Sequence, residues 1–484
     1  MKSLGIKEFL RREFSFIQGN YGILIVSWVI MDLAMEMPVP NFQYYVQALG
    51  GAEFPLALGI IGLANFLAMA IVALPGGYLA DKYGRRWLIS TMTFGLAFSY
   101  LFFALAPTWH FILIGQIVQS LCLIYQPALF AMVQDSLPEE RRGVGSSLIQ
   151  MIHGTFNTPG PIIAGLLLLQ FGLVPSMRIV YLIVTTLFVM AAIWRLKLKE
   201  TIKTEDRIKF EGIRVVSGEH SFELIAYALL LTASIAGALI HSPWWFLPGS
   251  IFGLLAIGTA IQQLATSRHW SFGTIRDFLG VYPKSVRECC INVWKTVPKS
   301  ILWLFLVQVM FMFANAQVNV INAIYARDQL GISEDLWWLT FIPLLVTMMV
   351  ASVPIGKMID KVGARKPLFL GPLVLASALL LFVHGNFVTV MISMSLNGIV
   401  FLIIMSSAMT LTAYLVEPQN RGKVRGFLNF IGYIFTGVGM LLGDFLYDTV
   451  PQFPFYLALG LTIPMILVIL LRIREPRTLE QKPL

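Results

Sequence analysis

Fourteen long apolar runs dominate the chain and leave it few ways to fold. They lie near 21–40, 54–80, 86–106, 111–135, 143–170, 176–195, 223–241, 246–265, 301–325, 336–358, 367–384, 387–412, 426–447 and 452–472. A bilayer core about 30 Å thick needs about 20 apolar residues in a helix, and these runs have that length. Barrel strands would alternate over about ten residues, whereas these runs are continuous. The predicted class is therefore an all-α membrane protein. Composition agrees: 57% of the residues are hydrophobic and only 13% charged, where soluble domains carry about 25% charged residues. A soluble enzyme and a disordered chain are both excluded.

The net charge is +9, and its placement explains it. Counting spans from the N-terminus, all of the 35 Lys and Arg residues except Arg178 and Arg327 fall on one side. That asymmetry is the positive-inside rule. It predicts a multi-pass protein of the plasma membrane with both termini cytoplasmic. Basic charge set by topology gives no reason to invoke nucleic acid. The N-terminal segment (Ile6, Phe9, Leu10 and Phe14 among Lys7, Arg11 and Arg12) reads as an amphipathic helix on the cytoplasmic leaflet, with no cleavable signal. Cys122, Cys289 and Cys290 make no spaced pair, so neither a disulfide nor a metal site is expected, and no cofactor is implied.

An internal repeat divides the chain. GYLADKYGRRW follows the second run, and GKMIDKVGARK occupies the matching place in the second half. At one offset of 279, Gly77 meets Gly356, Asp81 meets Asp360, Lys82 meets Lys361, Gly84 meets Gly363, and Arg86 meets Arg365. Arg142-Gly143 meets Arg421-Gly422 at the same offset. The expected organisation is an N-terminal six-helix bundle (1–197), a cytoplasmic linker (198–300) with an inserted hairpin at about 223–265, and a C-terminal six-helix bundle (301–484).

These residues resemble a known family. GYLADKYGRR is similar to the signature loop between helices 2 and 3 of the major facilitator superfamily, roughly G-x-L-a-D-[RK]-x-G-R-[RK]. Asp135 to Gly145 resembles the family's loop after helix 4, and Pro38 to Gly50 the end of helix 1 and beyond. In the second copy Ala364 replaces the first Arg of the motif. The resemblance implies two six-helix bundles related by a pseudo-two-fold axis, here with two inserted helices for fourteen in total. It further implies a secondary transporter that works by alternating access, with the first, fourth, seventh and tenth helices of the usual twelve lining a central cavity. A monomer is expected, with a small-molecule substrate, protons and lipid as partners.

The resemblance also implies a cytoplasmic gate. Asp81 would face the start of the eleventh helix near Arg421, where a carboxylate meets free N–H groups and the positive end of the helix dipole. Asp360 would do the same toward Arg142. Such contacts form only when that side is shut, as a gate requires. Gly77, Arg85, Arg86, Asp135 and Arg365 complete the expected set.

Asp32 and Glu36 lie within the first span. At 1.5 Å per residue from Tyr21, Asp32 is near mid-bilayer, with Glu36 one turn further on the same face. A charge at that depth costs about 2.5–3.5 kcal/mol on insertion scales and is a functional candidate by default. A carboxyl out of water exchanges its proton nearer neutrality, which proton coupling needs. His153, in the fifth span, is a third candidate, although a packed neutral imidazole explains it as well. Amides concentrate in the presumed lining helices: Gln116 and Gln119, then Asn315, Gln317, Asn319 and Asn322, then Asn397, with Asn157 in the fifth span. They form the candidate substrate-binding set, and helix-to-helix glue is the plain alternative.

Pro159-Gly160-Pro161 and Ala164-Gly165 partly resemble the G-P-x-x-G-G element of antiporter members. This favours proton-coupled export of lipophilic or drug-like compounds. The alternatives are a proton-coupled uptake symporter for a small polar metabolite and, remotely, a membrane enzyme or scramblase. No nucleophile, acid–base or metal cluster supports an enzyme.

Overall fold

The computed structural model describes residues 17–53, 56–73, 75–76, 79–80, 84–137, 148–149, 152, 156, 159–201, 299–416 and 421–473. Among them there is no strand. Ten helices are long and apolar enough to cross a membrane, and two shorter apolar ones, Ala57–Ala73 and Pro159–Phe171, fall where the second and fifth spans are expected. The runs at 223–241 and 246–265, the N-terminal amphipathic segment, Gly77, Asp81, Arg142, His153 and Asn157 lie outside the described residues.

The first span is α1 (Gly19–Met35), a turn of 3-10 helix at Val39–Asn41, and α2 (Phe42–Ala48). The break falls at Pro38 and Pro40, which lack the amide that a continuous helix would use. The N-terminal half continues with α3 (Ala57–Ala73), α4 (Arg85–Ala104), α5 (Trp109–Cys122), α6 (Gln126–Asp135), α7 (Pro159–Phe171) and α8 (Leu173–Arg195). The second half has α9 (Lys299–Asn319), α10 (Asn322–Asp328), α11 (Glu334–Trp337) and α12 (Phe341–Val362). It ends with α13 (Arg365–Val383), α14 (Phe387–Leu415), α15 (Arg421–Thr449) and α16 (Phe453–Arg472).

The repeat seen in sequence is built into the backbone. Gly84 (φ 98°) and Gly363 (φ 84°), at matching positions, both take the left-handed conformation just before α4 and α13. Only glycine enters that region without strain, so each copy needs a glycine at this position. The Arg86 guanidinium donates to the Leu196 carbonyl at 2.7 Å, and its counterpart Arg365 donates to the Leu470 carbonyl at 2.8 Å. At the other end of the halves, the Tyr45 hydroxyl donates to the Phe103 carbonyl at 2.8 Å and the Tyr325 hydroxyl to the Val383 carbonyl at 3.1 Å. Each acceptor is 58 residues beyond its tyrosine. An aromatic cluster surrounds each tyrosine: Tyr100, Phe103 and Tyr181 around Tyr45, and Phe382 and Phe455 around Tyr325.

The halves meet along two seams. One joins antiparallel α3 and α15 along their length. The other joins α7 to the start of the eighth span, α11 and the turn that follows it.

Candidate functional site

α1 carries the membrane carboxylates. Trp28, Met31 and Asp32 lie on its buried face, and Asp32 is only 4% exposed. Asp32 sits about 20 Å from the start of α1 at 1.5 Å per residue, which places it deep in a spanning helix. Glu36 follows one turn later, where the helix breaks. It is within electrostatic reach of both Asp32 and the Tyr100 phenol. The Gln119 amide donates to that phenol at 2.6 Å. Tyr100, which the sequence did not single out, thus links Glu36 to Gln119, while Glu36 is one turn from Asp32 on α1. Gln116 is half-buried on the same helix one turn before Gln119.

α7 explains the local glycines. A Cβ at Gly160 would lie 2.9 Å from the Met37 amide and 3.0 Å from the Leu33 carbonyl. Gly160 therefore lets α7 lie directly on the backbone of α1 beside Glu36. One turn further, Gly165 faces the Trp338 ring of the other half so closely that any side chain would enter the ring.

The amides of the second half are spread out. Gln317 is fully buried; its side-chain NH2 donates to the Phe313 carbonyl at 3.3 Å, and its backbone is pressed by Gly443 of α15. Asn322 is buried and its side-chain oxygen accepts from the Ala323 amide at 2.7 Å. The Asn319 carbonyl accepts from the Gln43 side chain across the halves. Asn315 and Asn397 are half-buried. Gln308, one helix face away and not anticipated, is buried with its Oε1 lacking a hydrogen-bond partner among the described residues.

Cross-half hydrogen bonds collect at the end that carries α2 and α10. The Tyr44 hydroxyl donates to the Ala323 carbonyl at 2.7 Å, and the Ala323 amide donates to the Gln43 side chain at 3.0 Å. Arg327 donates to Gln47 at 2.8 Å, lies over the Tyr44 ring at 5.3 Å, and pairs with Asp328 and Glu334 in its own half. Asp444 of α15, also not anticipated, accepts from the Gly59 amide of α3 at 2.6 Å. The end of the first span and the start of α3 thus bond directly to the other half.

At the opposite end the described polar contacts tie each half internally. Arg85 pairs with Asp135. Glu200 accepts from the Arg85 and Arg86 amides, both at 3.2 Å, and so caps the start of α4. Asp360 is exposed. Arg421 opens α15. Between halves, the Arg425 guanidinium lies over the Phe130 ring at 5.6 Å.

Two repeated helical halves meeting along two seams, with a carboxylate deep in a spanning helix, define a multi-pass membrane protein of two-bundle design. The chain belongs to the Major Facilitator Superfamily, whose sequence model matches residues 16–281 and 304–484. It is similar to the "Multi-drug resistance efflux pump PmrA homolog" of Lactococcus lactis, 27% identical over 177 residues, 35% of this chain and 42% of that protein. It is also similar to "Multidrug resistance protein MdtG" of Citrobacter koseri, 23% identical over 219 residues, 44% of this chain and 53% of that one. The matched stretch thus spans about half of each relative or less. Among solved structures, the fold is shared with the human organic anion transporter MFSD10 (TETRAN) at a TM-score of 0.58 and 17% identity, covering 93% of this chain and 98% of that one. It is shared too with a POT family transporter in complex with 5-aminolevulinic acid, at 0.64 and 13%, covering 95% of each chain.

Proposed function

We propose that the protein is a proton-coupled secondary transporter that exports lipophilic or drug-like compounds by alternating access. The observation that carries this reading is Asp32: a buried carboxyl deep in the first span, with Glu36 one turn away. Such a group is retained against its insertion cost because it binds and releases something, and a proton is the smallest candidate. Similarity to proteins named for multidrug resistance supports export of bulky compounds. The described state, latched at the α2/α10 end, is the inward-facing member of the cycle.

The same reading completes the topology. The runs at 223–241 and 246–265 add two spans to give fourteen, and they separate bundles 1–197 and 301–484. Both termini face the cytoplasm, the protein sits in the plasma membrane, and it works as a monomer. Asp32, Glu36 and His153 handle the proton. Gln116, Gln119, Asn157, Asn315, Gln317, Asn319, Asn322 and Asn397 supply hydrogen bonds to the substrate. Gly77, Asp81, Arg85, Arg86, Asp135, Arg142, Asp360, Arg365 and Arg421 form the cytoplasmic gate.

A thermal-shift screen tests the substrate class. Ligand binding to the folded state raises the melting temperature by mass action. Bulky lipophilic cations are expected to stabilise the purified protein, less so at low pH where protons compete. Stabilisation by small polar metabolites that strengthens at low pH overturns the export reading.

A further inference from the structure

The α3/α15 seam holds a buried charge that the transport reading has not used. Asp444 is 5% exposed, and its Oδ2 accepts from the Gly59 amide at 2.6 Å. The Leu58 amide also donates to this carboxyl. Both donors lie in the first turn of α3, where backbone N–H groups have no partner within the helix and the dipole is positive. The approach depends on glycine: a Cβ at Gly59 would lie 2.9 Å from both the Asp444 Cβ and the Leu441 Cα. A cavity of about 60 Å³, lined by Gln47, Gly51, Leu58, Tyr447 and Asp448, lies beside the carboxyl.

The repeat shows what is special here. At the offset of 279, Gly59 corresponds to Trp338 and Asp444 to Gly165. Those two residues also touch, since the Trp338 ring covers Gly165. The same pair of positions therefore closes both seams, with an aromatic plug in one and a carboxylate on a helix N-terminus in the other. Of these two pairs, only the second carries a charge. The α3/α15 pair is antiparallel, so Asp81 at the far end of the second span would address the start of α15, as the signature loop implies.

We propose that Asp444 is the outer latch of the α3/α15 seam: its carboxylate holds the first turn of α3 when the outer end is shut, and it lets go when that end opens. As a positioning residue it sets the balance between the two access states. The latch rests on the alternating-access reading but not on any choice of substrate or coupling ion.

The test uses full-length protein in nanodiscs, in a background lacking Cys122, Cys289 and Cys290. Spin labels at Leu105→Cys and Thr449→Cys report the outer end, and labels at Lys197→Cys and Lys361→Cys report the inner end. Asp444→Asn removes the charge. Gly59→Ala keeps the charge and wedges the helices apart against the Leu441 backbone. Both variants are expected to shift the population about ten-fold toward longer outer and shorter inner distances. The proposal is overturned if Asp444→Asn folds and keeps the wild-type distributions, or if both ends loosen together as for a packing defect. Should Asp444→Asn fail to fold, Gly59→Ala alone decides by the same two distances. Drug flux in the wild type is measured separately. Its absence would remove the export reading and leave the latch distances unaffected.

Discussion

Arg195 shows how a single residue can escape a reading by position. It closes α8, so the charge rule counts it among the cytoplasmic basic residues, where arginines normally snorkel to water. Helical side chains lean toward the N-terminus of their own helix. For the last turn of α8 that direction leads back into the bundle. The guanidinium is fully buried; it donates to the Ser27 hydroxyl at 3.0 Å and the Thr93 hydroxyl at 2.9 Å, and lies over the Tyr125 ring at 5.5 Å. It therefore ties α1, α4 and the kink between α5 and α6 to α8. Arg195→Ala is expected to destabilise the protein by roughly 2–5 kcal/mol, the range for large-to-small changes at packed sites. Arg195→Met keeps most of the volume and should lose much less, since both hydroxyls already donate to carbonyls of their own helices. Thermal unfolding of the detergent-solubilised variants checks the order.

Asp32, by contrast, is legible because no water reaches mid-bilayer to excuse it. Asp32→Asn is nearly the same size and should fold and insert normally. Its transport is expected to lose pH dependence, measured as initial rate against pH. Unchanged dependence would remove Asp32 from the coupling role. Asp444 was hidden by its place near the end of a span, where a carboxylate is unremarkable until the structure shows Gly59 above it.

At the scale of elements, length and polarity carried most of the information. Helices α4, α8, α13 and α16 begin and end within about three residues of the apolar runs that announce them. Breaks were less visible. The prolines at 38 and 40 mark the interruption before α2, but nothing local marks the one between α9 and α10. Around that break the chain bonds to α2 of the other half, a contact that the sequence does not display. The paired tyrosines are also tertiary. Tyr45 and Tyr325 differ in neighbours yet make the same bond, which pins the first span of each half to the third. Tyr45→Phe and Tyr325→Phe should each cost about 1 kcal/mol by loss of one buried hydrogen bond. The double variant should cost the sum, because the two bonds lie in different halves and share no partner. Denaturation curves for the four proteins test this; a double variant no worse than either single one would show that the bonds act as one unit.

For the whole molecule, the repeat was the strongest sequence signal, because two copies of one loop at one offset require two copies of one fold. What the repeat could not supply is how the copies meet. The contacts between halves at that end use residues that differ between the copies at the offset of 279: Gln43 against Asn322, Gln47 against Ala326, Gly59 against Trp338. Seams are where a duplicated chain stops being symmetric, and pattern matching within one sequence is blind there. At this pair of positions the asymmetry puts a carboxylate on a helix N-terminus in one seam and an aromatic ring on a glycine in the other.

In the proposed antiport, a proton gradient drives a lipophilic compound in the opposite direction. The direct measurement uses proteoliposomes with an acidic lumen, the membrane potential clamped, and a permanently charged lipophilic cation outside. Such a cation does not follow the pH gradient by simple partition. Antiport requires accumulation in the acidic lumen by wild-type protein, abolished when the gradient is collapsed and in Asp32→Asn. Accumulation that is indifferent to the gradient, or that reverses so the compound moves with protons, would contradict it.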